Sequence, residues 1–183
     1  MLVLGLTGNS AALTQERDKN TVILGPGYKK GQTSEKKLSF DLPDQWSVDK
    51  GAADKIGLFA VILQRGKTID NTDKAITIAF QKKEPNSPGL ENLKAFFRVD
   101  MQNQMAQFPD MQVARWQPSG LDPDKIAFMS IEAFGKKKDQ PSPHHLLMID
   151  TGDGYFSITL TLETVEELHQ SRYEDFFNSI RLR

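Results

Sequence analysis

The chain has 183 residues, 38% of them hydrophobic and 26% charged, and its 23 basic and 24 acidic side chains leave a formal charge of -1. That length suits one domain with a tail. A balanced surface offers nucleic acid no clustered basic face, so no nucleic-acid partner is expected. Cysteine is absent, which excludes disulfides, thiol nucleophiles, zinc–thiolate centres and an acylated cysteine.

The opening run Met1-Leu2-Val3-Leu4-Gly5-Leu6, followed by Ser10-Ala11-Ala12, has the form of an apolar signal core with a small-x-small cleavage site after Ala12. It lacks the basic residues that begin such signals. Two readings therefore stand. One is the back half of a secretory signal, implying a periplasmic or otherwise exported protein. The other is a short hydrophobic strand or disordered terminus on a cytoplasmic one. No later segment is apolar for the length that spans a bilayer, so no transmembrane segment is expected. Residues 13–37 are polar and turn-rich, with Gly25-Pro26-Gly27 and the stretch from Gly31 to Lys37. Residues 1–37 thus read as a leader, a truncated signal with a flexible linker, and residues 38–183 as the domain.

From Leu38 the pattern alternates, with Leu38, Phe40 and Leu42 on one face, as in a half-buried strand. Pro43 ends it, and Trp46 anchors the turn that follows. Leu58 to Leu63 is continuously apolar, as a strand covered on both faces is. Ile76, Ile78 and Phe80 alternate in a third strand. The period then changes. Ser87-Pro88 offers an N-cap with proline in the first turn, and Leu90, Leu93, Phe97, Met101, Met105 and Phe108 recur at three- and four-residue spacings along one helix. This stripe is read as the face packed on a sheet.

Strand composition returns in Met111 to Trp116, Lys125 to Phe134, His145 to Asp150 and Tyr155 to Glu163. Thr151-Gly152-Asp153-Gly154 between the last two is a hairpin signal. Within the final strand Phe156, Ile158, Leu160 and Leu162 share one face, while Tyr155, Ser157, Thr159 and Thr161 share the other, which is left for solvent or a partner. A last helix opens at Thr164 with Glu167 as its capping-box partner. Val165, Leu168, Tyr173, Phe176, Phe177 and Ile180 form its apolar face. About seven strands, mostly hairpin-linked, with two helices make an α+β domain with an antiparallel sheet.

Two local patterns resemble a known group. Leu38-Ser39-Phe40-Asp41-Leu42-Pro43-Asp44-Gln45-Trp46 resembles the strand-proline-x-x-tryptophan start of PsbP-like and DcrB-like domains, and Phe176-Phe177-Asn178-Ser179-Ile180 resembles the end of their last helix. The resemblance spans residues 38–183. It implies an αβα sandwich, with a central antiparallel sheet of about six or seven strands and helices on both faces. Relatives include extrinsic photosystem II subunits, bacterial periplasmic proteins, a nuclear-import factor that binds the GTPase Ran, and Eag chaperones for secreted effectors. What unites them is binding without catalysis. No cysteine is present for the lipid anchor of the DcrB group, and no family binding residue can be transferred.

The residues themselves offer little chemistry. His144 and His145 lie near Asp150 and Asp153, but neighbours on a strand point to opposite faces, so they do not readily share an ion. No nucleophile elbow G-x-S-x-G is present. Asp122-Pro123-Asp124 reads as a proline turn with solvated acids. The run Lys136-Lys137-Lys138 reads as a solvated loop tip. No catalytic residue, metal site or cofactor is therefore assigned. The function expected is a non-enzymatic binding or accessory protein with a protein partner, contacted by Tyr155, Ser157, Thr159, Thr161 and the exposed aromatic Trp116. A cytosolic binder resembling a secretion chaperone is one alternative. The other is a metal-dependent hydrolase assembling His145, Asp150 and Glu132 from distant positions.

Overall fold

A computed structural model of the chain describes residues 13–15, 21–24, 34–107, 111–112, 117–133, 143–168 and 170–183. Along these the elements are β1 (Leu13–Gln15), β2 (Thr21–Leu24), β3 (Leu38–Asp41), β4 (Trp46–Val48), α1 (Lys50–Ile56), β5 (Ala60–Gln64), β6 (Ala75–Lys82), α2 (Leu90–Gln107), β7 (Met111–Gln112), β8 (Ile126–Ala133), β9 (His144–Asp150), β10 (Gly154–Thr161), α3 (Val165–Leu168), α4 (Ser171–Ser179) and β11 (Arg181–Leu182). They build a seven-stranded sheet in the order β4-β5-β6-β10-β9-β8-β7 and a four-stranded sheet in the order β1-β2-β3-β11. The pairings among described residues are antiparallel. The fold is α+β, as expected.

Period-two alternation decides what each face of the large sheet meets. Its inner face carries Ile76, Ile78 and Phe80 of β6, Phe156, Ile158 and Leu160 of β10, and Leu147 and Ile149 of β9, all buried. These pack against Leu38 and Phe40 of the small sheet and Tyr173, Phe176, Phe177 and Ile180 at α4. The aromatic rings meet edge to face, Phe59 with Phe156 at 5.3 Å and Phe40 with Phe176 at 5.4 Å, the geometry their quadrupoles favour. On the outer face, Ala52 and Ala53 of α1 cover Val61, Leu63 and Ala75. Leu90, Leu93, Phe97 and Met101 of α2 cover Ala127 and Tyr155, with Leu146 and Met148 packed at the edge and partly exposed. Helices thus lie on both faces of the central sheet.

Several elements depart from the sequence expectations. Residues 21–24, placed in the leader, form β2. It pairs with β3 from Thr21↔Asp41 to Leu24↔Leu38 and buries Val22 and Leu24 in the main core. Four residues alternating around polar turns give too short a pattern to stand out from a linker. Trp46 closes the turn after Pro43, its backbone N–H donating to the Pro43 carbonyl at 3.1 Å, and it also opens β4, buried at 2% exposure against Tyr173. α1 was not anticipated, because its buried face is two alanines rather than a stripe of large residues. Its ends are nonetheless conventional: the Asp49 carboxylate accepts from the Ala52 N–H at 2.9 Å, and Gly57 closes the helix at φ 75.

In α2, Ser87 is not the cap, since its hydroxyl accepts from the Glu84 N–H and the helix begins at Leu90. Met105 does not continue the stripe and is 45% exposed. Successive four-residue steps drift about 40° each on a helix of 3.6 residues per turn, so after Phe97 and Met101 the packed line passes to position 104. Phe108 lies outside the described residues. The final helix is two helices, α3 and α4. The Glu167 carboxylate accepts from the Glu163 N–H rather than from that of Thr164, and the Gln170 N–H closes onto the Glu167 carbonyl before α4 starts.

Candidate functional site: the outer face of the large sheet

The four residues of β10 expected to contact a partner all point to the outer face, but they do not share one environment. Tyr155 is buried at 4% exposure beneath α2, and its hydroxyl donates to the Pro88 carbonyl at 2.7 Å. It pins the loop that launches α2, which corrects its expected place on an open face. The sequence pattern shows which face a side chain takes, not where a helix will lie across it.

Ser157, Thr159 and Thr161 remain partly exposed. In register, Ser157 stands between Ala79 and Met148, and Thr159 between Thr77 and Leu146. Thr77, Ala79, Leu146 and Met148 are partly exposed as well. α1 covers β5, and α2 packs on β8, on β9 and on the Tyr155 end of β10. The middle of β6 and β10 is left between them. The floor of this strip alternates hydroxyls, which donate and accept, with aliphatic and thioether surface. None of Ser157, Thr159, Thr77, Ala79, Leu146 and Met148 ionises, and His144, in register with Thr161, lies at the end of the strip.

Thr77, Ala79, Leu146 and Met148 were not anticipated as part of it. They come from strands distant in sequence, and only the pairing register brings them beside Ser157 and Thr159. Trp116, the fifth expected contact, lies outside the described residues, as do the run Lys136-Lys137-Lys138 and His169.

Of the residues that could have assembled a hydrolytic site, His145 and Asp150 do not converge. His145 is buried on the inner face at 4% exposure, stacked on Phe128 and edge-on to Phe177, both at 5.6 Å between ring centres. Asp150 points to the outer face five residues further along β9, roughly 16 Å away at the rise of a strand. The backbone of Glu132 pairs with Gln112 of β7 at the sheet margin. Among the described residues, no three histidine, aspartate or glutamate side chains form a group able to hold a metal ion. Asp122 and Asp124 belong to a short 3-10 turn, in which the Asp122 carboxylate accepts from the Asp124 N–H at 3.0 Å.

One ionic cluster borders the strip. Lys83 donates to both Asp150 oxygens at 2.7 and 2.9 Å, with its ammonium 4.6 Å from the centre of the Tyr155 ring. Burial acts to raise the Asp150 carboxyl, but the Lys83 hydrogen bonds, the Gly152 N–H and the charges of Lys83 and Lys125 outweigh it and hold it below its ordinary value. For Lys83, burial acts downward and the bonds and charge of Asp150 outweigh it, so the ammonium is raised. A depressed carboxylate contributes stability above its unfolded value, about 3.9, and loses it as pH falls through the lower folded value. A raised ammonium loses its contribution only as pH climbs through its folded value. Asp150→Asn is therefore expected to melt below the wild type at neutral pH, and the two melting curves are expected to converge in acid.

No family model matches the chain, and no curated relative does. Among solved structures, the chain is similar to the solution structure of cyanobacterial PsbP (CyanoP) from Synechocystis sp. PCC 6803, at 11% sequence identity and a TM-score of 0.45, over 100% of this chain and 99% of that one. No helix among the described residues is long and apolar enough to cross a membrane.

Proposed function

We propose that the protein is a non-enzymatic binding or accessory module that holds a protein partner on the outer face of its large sheet, around Ser157, Thr159 and Thr77. The observation that carries this reading is the strip between α1 and α2, where the hydroxyls of Ser157, Thr159 and Thr77 lie partly exposed among aliphatic and thioether side chains. The groups that could have served catalysis are instead spent on structure, His145 in an aromatic stack and Asp150 in its pair with Lys83. An exported protein, in the periplasm or beyond, is the reading that the apolar opening run supports. A cytosolic binder resembling a secretion chaperone would use the same strip, and fractionation of expressing cells separates the two.

Thr159→Arg places a long cation in the middle of the strip while leaving the inner core untouched. Purified from expressing cells with its partner, this variant is expected to retain the wild-type melting temperature within a few degrees and to bind that partner about tenfold or more weakly, as loss of a central contact does. Undiminished binding by a folded variant would rule out this face.

A further inference from the structure

We propose that a second site, the cleft between α2 and the start of β8, takes an amphipathic carboxylate: one carboxyl group carried on an apolar body. The cleft encloses about 400 Å³, within the range of small-ligand sites. Its walls divide by chemistry. Phe97, Ile126 and Ala127 are buried at its base, with Met101 and Phe128 beside them, while Lys94 and Arg98 stand at its margin.

These two cations sit four residues apart on α2 and so project from the same side of the helix. They do not have equal duties. Lys94 is held by Glu91 at 2.9 Å. Asp124 lines the same cleft, yet no carboxylate among the described residues forms an ion pair with Arg98. A guanidinium presents a planar fork of donors that matches the two oxygens of a carboxylate. The apolar base selects what that carboxylate is attached to. A fully hydrated phosphate would leave Phe97, Met101 and Ile126 uncovered, whereas an aromatic or aliphatic acid satisfies base and margin together. The cleft opens beside β8, whereas the hydroxyls of the strip stand on β6 and β10.

The test is a titration of the intact protein followed by amide and methyl NMR, with N-acetyl-phenylalanine and its uncharged amide as probes. Expected are shifts at Met101, Ile126 and Ala127 with the acid, and affinity for the amide weaker by about tenfold or more, the worth of a hydrogen bond to a charged group. The double variant Lys94→Gln, Arg98→Gln, both positions at the surface, is expected to lose the preference for acid over amide while its spectrum elsewhere stays that of the wild type. A pentapeptide ending in phenylalanine distinguishes the sources: binding as tight as the small acid's assigns the cleft to a chain terminus, and much weaker binding assigns it to a free acid. The proposal is overturned if neither acid shifts these residues, if acid and amide bind equally, or if the double variant keeps the preference.

Discussion

Phe156→Ala is expected to lower the unfolding free energy by about 3–5 kcal/mol, the range for deleting a buried phenylalanine ring. Phe156 is fully buried at the centre of the inner face. Its backbone stands between Phe80 of β6 and Ile149 of β9, and its ring meets Phe59 at 5.3 Å and Phe80 at 5.0 Å. The strand positions around it are fixed by the ladders on both sides, so the neighbours can move little to fill the space. A domain of this kind has about 5–15 kcal/mol in all, and the variant should lose a large part of that. Chemical denaturation measures it directly. Phe156→Leu keeps most of the volume and is expected to cost less than half as much, which separates the cavity from the mere change of residue.

The second large effect falls on a residue with no side chain. Gly154 begins β10, opposite Lys82. A Cβ added there would come within 2.3 Å of the Phe80 ring and 2.6 Å of the Gln81 carbonyl oxygen. The ring is packed against Phe156, and the carbonyl belongs to the β6 backbone, so neither yields without disturbing the ladder that joins β6 to β10. Gly154→Ala is expected to destabilise by about 1–3 kcal/mol, the usual cost of forcing extra atoms into a packed site. Gly152→Ala, two residues earlier, is a useful contrast. No atom lies within 4 Å of its added Cβ, and its φ of 91 supplies a purely backbone penalty. If crowding dominates at Gly154, trimming the opposing ring in Phe80→Leu should recover part of the loss there and none at Gly152, as measured by double-mutant unfolding.

These residues also show what was legible in the sequence. The alternation of Phe156, Ile158 and Leu160 against Tyr155, Ser157 and Thr159 assigned each side chain to its face, and the Thr151-Gly152-Asp153-Gly154 turn correctly joined β9 to β10. Such signals are local: a period of two and a turn that needs positive φ. β2, α1 and β11 escaped notice because each is short and takes its stability from distant pairing rather than from a pattern of its own. β11, for example, is two residues held to Ser39 and Leu38. Register is likewise invisible in a single strand, so Thr77 could not be placed beside Thr159. Nor could the cover that α2 lays over Tyr155 be foreseen, since the helix and the strand are separated by more than forty residues of chain.

The outer face of the large sheet is the proposed partner face. A photo-crosslinking amino acid placed at Thr159 in expressing cells, and in parallel at Glu174 on the exposed side of α4 beyond the opposite face, tests this most directly. The expected result is one discrete adduct from position 159 with the same partner that co-purifies with the unmodified protein, lost when Ser157→Arg is added, and none from position 174. An adduct with that partner from position 174 and none from 159 would contradict it.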